Sequence, residues 1–307
     1  MKVSTNLYFD RASAQLGTVQ SSLSKTQEQL STGKQITKPS DEPDKASLVT
    51  RLESEMARQK SYQDALSSVE IKLSSQETAL RNVSDVMGRI KELTVQANSD
   101  TMGPVDRQSI ALEIESLRDQ ILSLANTQDT SGNYLFAGSR VTQPAFGKDT
   151  AGIFNYQGDQ TRIRVAVGDN LRMNVNRPGS DAFVRVPRDD GKGGTIGIGF
   201  FQSLDDLTQA IRSSDRQLMQ RGLGELDALS QGVSEATAQV GADLNVVDAQ
   251  RNVLDEVTLR LKTTMSAVQD LDYTEAITRM NRDQLALEAA QSSFAKISKL
   301  SLFNYLN

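Results

Sequence analysis

Residues 62–97 read YQDALSSVEIKLSSQETALRNVSDVMGRIKELTVQA, and their apolar side chains recur at a regular helical spacing. In alternating steps of four and three residues, the positions from the first residue to the last are apolar except for Gln76 and Thr94. A repeat of this kind, sustained over so many turns, predicts the seam of a coiled coil or helical bundle. Extended back to Asp44, the pattern predicts one helix of about 56 residues, roughly 84 Å long.

The C-terminal half of the chain carries the same repeat. Residues 226–271 follow it with polar interruptions at Asp243, Gln250 and Thr264, which predicts a second long helix. A shorter apolar period over 110–124 comes soon after a glycine–proline break. Because proline interrupts a helix at that break, the shorter helix is predicted to fold back on the first one.

The middle of the chain changes from a helical period to an alternating one. Residues 162–167 and 171–176 each alternate apolar with polar side chains, and Gly168-Asp169-Asn170 separates them. This pattern predicts a β-hairpin with one apolar face. Glycine is dense around it, so we expect a small β-rich module at 132–202, inserted between two helical halves.

Both ends of the chain carry apolar stripes at the seam spacing. One such helix cannot bury its own stripe and is marginal in water, and an apolar C-terminus needs a partner. We therefore predict that the two terminal helices pair with each other, within one chain or between neighbouring chains. The residues predicted to form this assembly and chaperone interface are Phe9, Leu16, Leu23, Leu30, Met280, Leu287, Phe294, Ile297, Leu300 and Leu302.

Together these patterns predict a mostly α fold: an elongated coiled-coil or helical-bundle rod formed by the N- and C-terminal halves, with a small β-rich inserted domain. Residues 1–43 with 270–307 are predicted to form the terminal assembly core. Residues 44–131 with 203–269 are predicted to form the helical rod, and 132–202 the outer insert.

Composition excludes several classes of protein. The chain has no His and no Cys, and its formal net charge is −5, from 34 basic and 39 acidic residues. Catalytic triads built on His and sites built on thiolates are therefore excluded. The mild acidity disfavours nucleic acid as a partner, and no apolar run is long enough for membrane insertion. We expect no enzymatic activity, no cofactor and no metal site.

Some local clusters could suggest a ligand site but have simpler interpretations. Residues 191–195 combine glycine with lysine but lack the spacing of a phosphate-binding loop, so we predict a mobile hairpin turn there. Asp44 is expected to cap the helix that it precedes. Asp205 and Asp206 are expected to lie in the first turn of a helix, where a carboxylate suits the helix dipole.

Four stretches of the chain resemble the bacterial flagellin family. The segments QLSTGKQI (29–36) and PSDEP (39–43) are similar to the turn after the family's first helix. DLDYTEAI (270–277) and the run from Ala286 to Leu302 are similar to its C-terminal end. Within the family, these segments are closer to the subunits at the junction of hook and filament than to filament flagellins.

The resemblance implies a structural role in the flagellum. The subunits would leave the cytoplasm unfolded through the flagellar type III apparatus and form an extracellular ring of identical copies. The ring would contact a hook-associated protein on the hook side and flagellin on the filament side. A cytoplasmic chaperone would cover Met280, Leu287, Phe294 and Ile297 before export. The terminal helices, disordered in the monomer, would fold on assembly as a coiled coil lining the central channel.

Two other functions remain open from the residues. A short filament flagellin would polymerise without limit from a seed, whereas a junction protein would stop at a ring and then seed flagellin. A free-standing coiled-coil adhesin would use the β-rich module to bind its ligand.

Folding on assembly makes a prediction about the isolated chain. Because the terminal stripes lack their partners in the monomer, we expect rapid backbone amide exchange at residues 1–40 and 274–307. Hydrogen–deuterium exchange with mass spectrometry measures it, with 62–97 as the internal control for slow exchange. Slow exchange at both termini would contradict the prediction.

Overall fold

The computed structural model describes the backbone of residues 2–150, 152–189 and 194–303, and the side chains of 7, 10–150, 152–189 and 194–296. Helices dominate this part of the chain, so the predicted mostly α fold is confirmed. Seven helices follow one another in chain order within it. They are α1 (Lys2–Thr32), α2 (Pro43–Ala97), α3 (Pro104–Ala125), α4 (Gly179–Ala182), α5 (Phe200–Arg212), α6 (Arg216–Gln269) and α7 (Tyr273–Phe303).

The strands of the described residues are short and form three separate antiparallel pairs. The second pair is the hairpin predicted from the alternating pattern, with Val165 opposite Met173 and the Val167 amide donating to the Leu171 carbonyl at 3.0 Å. The turn predicted at 191–195 lies largely outside the described residues. The strand pairs are β1 (Phe146–Lys148) with β2 (Phe154–Tyr156), β3 (Arg164–Ala166) with β4 (Arg172–Asn174), and β5 (Val186–Asp189) with β6 (Thr195–Ile198).

The chain divides into two compact units. Met1–Arg58 with Glu256–Asn307 form one, called here the terminal unit, and Gln59–Asp255 form the other, called the central unit. Helices α2 and α6 contribute residues to both units. The finer division of the chain into assembly core, rod and β-rich insert stays a prediction.

The predicted seam of α2 forms the core of the central unit. Its two polar members, Gln76 and Thr94, are both 0% exposed. Each has a hydrogen bond: Gln76 Nε2 donates to the Leu135 carbonyl at 2.8 Å, and Thr94 Oγ1 donates to the Ile90 carbonyl at 2.7 Å. Buried polar groups need such partners, so the two interruptions fit within an apolar seam. The buried apolar members are Leu66, Val69, Leu73, Leu80, Val83, Met87, Ile90 and Ala97.

Helix α3 folds back along α2, as predicted. Arg107 Nε in its first turn donates to the Ala97 carbonyl at the end of α2, at 2.9 Å. Further along, Arg89 of α2 pairs with Glu113 of α3 at 2.9 Å. These contacts pair the end of one helix with the start of the other, which defines an antiparallel arrangement.

A cluster of aromatic rings joins the strands to α5. The Phe146 ring lies 5.1 Å from Phe183 and 5.2 Å from Phe201, measured between ring centroids, with the planes inclined at 68° and 66°. Edge-to-face packing of this kind adds to the stabilisation from burial. The cluster consists of Phe136, Phe146, Phe154, Tyr156, Phe183, Phe200 and Phe201.

The predicted position of two acidic residues on α5 was wrong. The helix begins at Phe200, so Asp205 and Asp206 lie in its second turn, where they pair with arginines. It starts earlier than predicted because the backbone is extended only as far as Gly199 (φ −67°, ψ 153°) and the two phenylalanines that follow pack into the aromatic cluster. The two carboxylates are therefore partners in ion pairs and not first-turn residues.

The predicted position of Asp44 was also wrong, by one residue. Helix α2 begins at Pro43, so Asp44 lies inside its first turn and not before it. Proline is favoured at the first helical position, because its missing N–H would have no partner within the helix there. The carboxylate of Asp44 still lies at the positive end of the helix dipole, where its charge is favourable.

A partly buried ion-pair network fixes β5 to the helices. Arg188 donates two hydrogen bonds of 2.7 Å to Glu225 of α6 and also pairs with Asp206 of α5. Burial alone would raise the pKa of Glu225, but the hydrogen bonds from Arg188 and Ser203 outweigh it and lower that pKa. Glu225 is therefore charged at neutral pH, and its charge is matched inside the protein.

The seam of α2 predicts that two nearby substitutions lower the free energy of unfolding by unequal amounts. Leu73 is 0% exposed and Ile71 is 58% exposed. We expect Leu73→Ala to lower the free energy of unfolding by about 2–5 kcal/mol, because it removes buried methyl groups and leaves a cavity. The matched control Ile71→Ala should change it by less than about 1 kcal/mol. Urea denaturation followed by circular dichroism measures both, and equal losses would contradict the assigned seam.

Candidate assembly interface

The candidate site is the pair of terminal helices. Helices α1 and α7 contact each other along the terminal unit. Between them, Ser22 Oγ donates to Asp283 Oδ2 at 2.7 Å. Thr26, one turn further along α1, is buried and donates to the Ser22 carbonyl at 3.0 Å, and Ala276 near the start of α7 is 0% exposed.

The residues predicted for the interface are only partly covered by this pairing. Those with described side chains are half-buried on both helices: Leu16, Leu23, Leu30, Met280, Leu287 and Phe294. The side chains of Phe9, Ile297, Leu300 and Leu302 lie outside the described residues. Whether the six described residues form an interface with other chains stays a prediction.

Helix α7 also exposes apolar side chains that the seam spacing missed. Ile277 is 46% exposed and Leu285 is 68% exposed. Leu285 and Leu287 are two positions apart, which places them on nearly opposite sides of the helix. Helix α7 therefore has apolar residues facing away from α1 as well as toward it.

A short pairing of two segments, called here the clasp, connects the bases of the terminal helices. The Gln35 amide donates to the Gln269 carbonyl at 2.7 Å, and the Leu271 amide donates to the Gly33 carbonyl at 3.0 Å. Between them, Lys34 and Asp270 form an isolated antiparallel bridge. The clasp thus joins the residues after α1 to the residues before α7.

Gly33 and Gln29 hold the backbone in the conformation that the clasp requires. Gly33 has φ +68°, a conformation that favours glycine, and a Cβ atom there would lie 2.8 Å from the Tyr273 hydroxyl oxygen. Gln29 is 4% exposed, and its Nε2 donates to the Gln35 carbonyl at 2.5 Å. The stretch 29–36 is therefore held by contacts made at its glycine and its buried glutamine.

The start of α7 has a capping residue next to the clasp. Asp272 Oδ1 accepts hydrogen bonds from the backbone amides of Thr274 at 2.8 Å and Glu275 at 3.1 Å. A carboxylate at this position satisfies amides that have no partner within the helix and suits the helix dipole. The clasp and the cap together fix where α7 begins.

The proline-rich turn after the clasp is held by charge. Lys25 of α1 pairs with Asp41 at 3.1 Å, and the Asp41 amide donates to the Lys38 carbonyl at 3.0 Å. The hydrogen bond from Lys25 lowers the pKa of Asp41 below its usual value. The turn between α1 and α2 is therefore fixed against α1.

The described geometry is that of a packing surface. Within the described ranges, no group of three or more His, Cys, Asp or Glu side chains is placed to hold a metal ion. No helix in the same ranges is long and apolar enough to cross a membrane. The arrangement consists of apolar helix faces, a clasp and caps, which suits packing against other helices.

Family models match both ends of the chain. The bacterial flagellin N-terminal helical region matches residues 3–141, and the bacterial flagellin C-terminal helical region matches residues 223–306. The chain belongs to the bacterial flagellin family. Both terminal helices, apart from Lys2, and both sides of the clasp lie within the matched regions, whereas the six described strands lie outside them.

Hook-associated and junction proteins of the flagellum are similar to most of this chain. Flagellar hook-associated protein 3 of Salmonella typhimurium is 26% identical over 318 residues, with 99% of each chain covered. The crystal structure of Xanthomonas campestris FlgL has a TM-score of 0.64 at 23% identity and covers 70% of this chain and 99% of that one. The flagellar junction protein FlgL from Legionella pneumophila has a TM-score of 0.61 at 15% identity, covering 73% and 100%. This flagellin-family chain is a structural component of the flagellum.

Two glycine substitutions in the terminal unit are predicted to change its stability in opposite directions. We expect Gly33→Ala to lower the free energy of unfolding by about 1–3 kcal/mol, because it strains the backbone and crowds the Tyr273 hydroxyl. Gly17 lies within α1, and a Cβ atom added there would have no other atom within 4 Å. The control Gly17→Ala should therefore raise the helicity of α1 and stabilise it by about 0.5–1 kcal/mol. Thermal unfolding of the assembled protein, in which the terminal helices are folded, checks both variants. A Gly33→Ala assembly as stable as that of the wild type would contradict the role of the clasp.

Proposed function

We propose that this chain is the subunit that forms the junction ring between the hook and the filament. The observation that carries the proposal is similarity to hook-associated protein 3 over 99% of both chains, terminal helices included. The fold shared with a junction protein from Legionella pneumophila supports the same role.

The terminal helices are the proposed assembly core, over residues 1–43 with 270–307. Their stripes are half-buried in the pairing of α1 with α7, and Ile277 and Leu285 add apolar surface on a second side of α7. Copies of the chain in a ring would cover that surface, and burial of apolar area would drive the assembly. In this proposal the helices are disordered in the free monomer and fold as a coiled coil lining the channel.

The C-terminal helix is also the proposed site of a cytoplasmic export chaperone. A chaperone covering Met280, Leu287, Phe294 and Ile297 would occupy the seam of α7, whose described members are half-buried next to α1. The helix could not then pair with α1 or with another copy. Premature assembly would be prevented until the subunit passes through the flagellar type III apparatus to the cell exterior.

The remaining regions have proposed places in the ring. Residues 44–131 with 203–269 form the rod that contacts neighbouring copies, and 132–202 form the outer, β-rich insert. The adjoining hook-associated protein lies on the hook side and flagellin on the filament side. The role is structural and not enzymatic, without nucleic acid, cofactor or membrane insertion.

Deletion of the gene tests the proposal. We expect electron microscopy to show bare hooks and immunoblots of the medium to show shed flagellin, because exported filament subunits would have no junction on which to assemble. Hooks that lack only a filament made of this chain, with no other flagellin shed, would instead mean a filament subunit. Intact flagella would remove the junction role and favour the adhesin.

Complementation of the deletion separates assembly from expression. A copy carrying Leu287→Asp should be made but should restore few or no filaments, because a charge in the seam of α7 opposes helix pairing. Val105→Asp is the matched control, since Val105 is 76% exposed on α3. Equal restoration of filaments by both variants would argue against α7 as the assembly face.

A further inference from the structure

A cavity of about 230 Å³ lies between α2, the loop after α3 and the β3–β4 hairpin. Its inner end is formed by buried side chains, including Gln76, Leu135 and Val175. Toward its mouth lie Ser68 and Ile163, which are exposed. The cavity is internal to the central unit and is separate from the terminal helices.

The amide group of Gln76 has one satisfied end and one unsatisfied end. Its Nε2 donates to the Leu135 carbonyl at 2.8 Å, and its Oε1 is buried without a protein partner. A carbonyl oxygen can only accept, so the amide cannot turn round without setting two acceptors against each other. Gln76 Oε1 therefore needs a hydrogen-bond donor within the cavity, since a buried acceptor without one is costly.

The other polar groups around the cavity differ in how many of their hydrogen-bond donors and acceptors are already used within the protein. Asn176 is fully used: its Nδ2 donates to Gly138 and Thr161, and its Oδ1 accepts from Ile163. Asp129 accepts from the backbone amides of residues 131 and 133. Lys72 Nζ is 3.6 Å from Asp129 Oδ2, beyond normal hydrogen-bond length, so the ammonium group retains donors.

These groups define the chemistry of a guest. Gln76 Oε1 requires a donor, and Lys72 Nζ offers a donor to an acceptor. A carboxylate could not donate to Gln76, and an ammonium group could not accept from Lys72. A hydroxyl group both donates and accepts. The walls contributed by Val141, Val165 and Val175 suit a short aliphatic body beside it.

We propose that this cavity is a binding site for a hydroxyl group, which donates to Gln76 Oε1 and accepts from Lys72 Nζ. Ordered water and a small aliphatic alcohol both supply that chemistry, and the volume is ample for either. The guest completes the contact between α2 and the loop that carries Leu135. The proposal is independent of the junction role, because it concerns the central unit alone.

Nuclear magnetic resonance on the full-length monomer tests the site, with isobutanol as the organic probe. We expect a nuclear Overhauser contact between water and the Gln76 side-chain amide. A water contact that survives millimolar isobutanol would identify water as the guest. Loss of that contact, with shifts of the Val165 and Val175 methyl resonances, would identify an organic guest. Absence of both the contact and the shifts would overturn the proposal.

Two variants test whether the effect comes from this cavity. Gln76→Met keeps the length of the side chain but removes both the acceptor and the hydrogen bond to the Leu135 carbonyl, so isobutanol binding should weaken at least tenfold. Val141→Phe leaves the hydrogen bond from Gln76 to Leu135 in place and fills the cavity instead, so binding should be lost. Isobutyl methyl ether is the matched control for isobutanol. It cannot donate a hydrogen bond to Gln76, so it should bind more weakly than isobutanol. Methyl shifts of equal size in the wild type and both variants would overturn the proposal.

Discussion

The buried seam of α2 is the constraint on which the central unit depends. The apolar residues recur every three or four positions up to Ala97, so the helix presents one continuous face to the core. Any polar residue on that face needs a hydrogen-bond partner inside the protein. Thr94 donates to the Ile90 carbonyl of its own helix. Gln76 donates to the Leu135 carbonyl. This hydrogen bond fixes the loop after α3 against α2 and so positions the start of the β-rich segment.

Features that depend on local spacing could be predicted from the sequence, and features that join distant residues could not. The long helices and the β3–β4 hairpin follow from periods of about 3.5 and 2 residues, which any segment carries by itself. Asp205 and Asp206 also lie in a helix, but their arginine partners come from elsewhere in the chain. The position of Arg118, 87 residues before Asp205, has no local pattern to reveal it. The first-turn prediction failed because α5 begins at Phe200, and the ion pairs of the two residues had no local pattern from which to predict them.

At the candidate interface, too, features that depend on local spacing could be predicted and features that join distant residues could not. The seam spacing located the residues along which α1 and α7 are half-buried, including Leu23 and Leu287. It missed Ile277 and Leu285, because both lie off that spacing. The clasp was also missed, since it joins segments that are far apart in the sequence. Its one local mark is Gly33 directly after α1, a common position for a glycine with positive φ at the end of a helix.

Burial distinguishes the terminal helices from the rest of the fold. Leu73 and Val83 in the seam of α2 are 0% exposed, whereas the described stripe residues of α1 and α7 are only half-buried. A pair of helices can cover one face of each member, and α7 carries apolar side chains on two sides. The pairing within one chain therefore leaves apolar surface that further helices would bury. Identical copies can supply those helices with matching surfaces, whether they assemble as a closed ring or as an open helical filament.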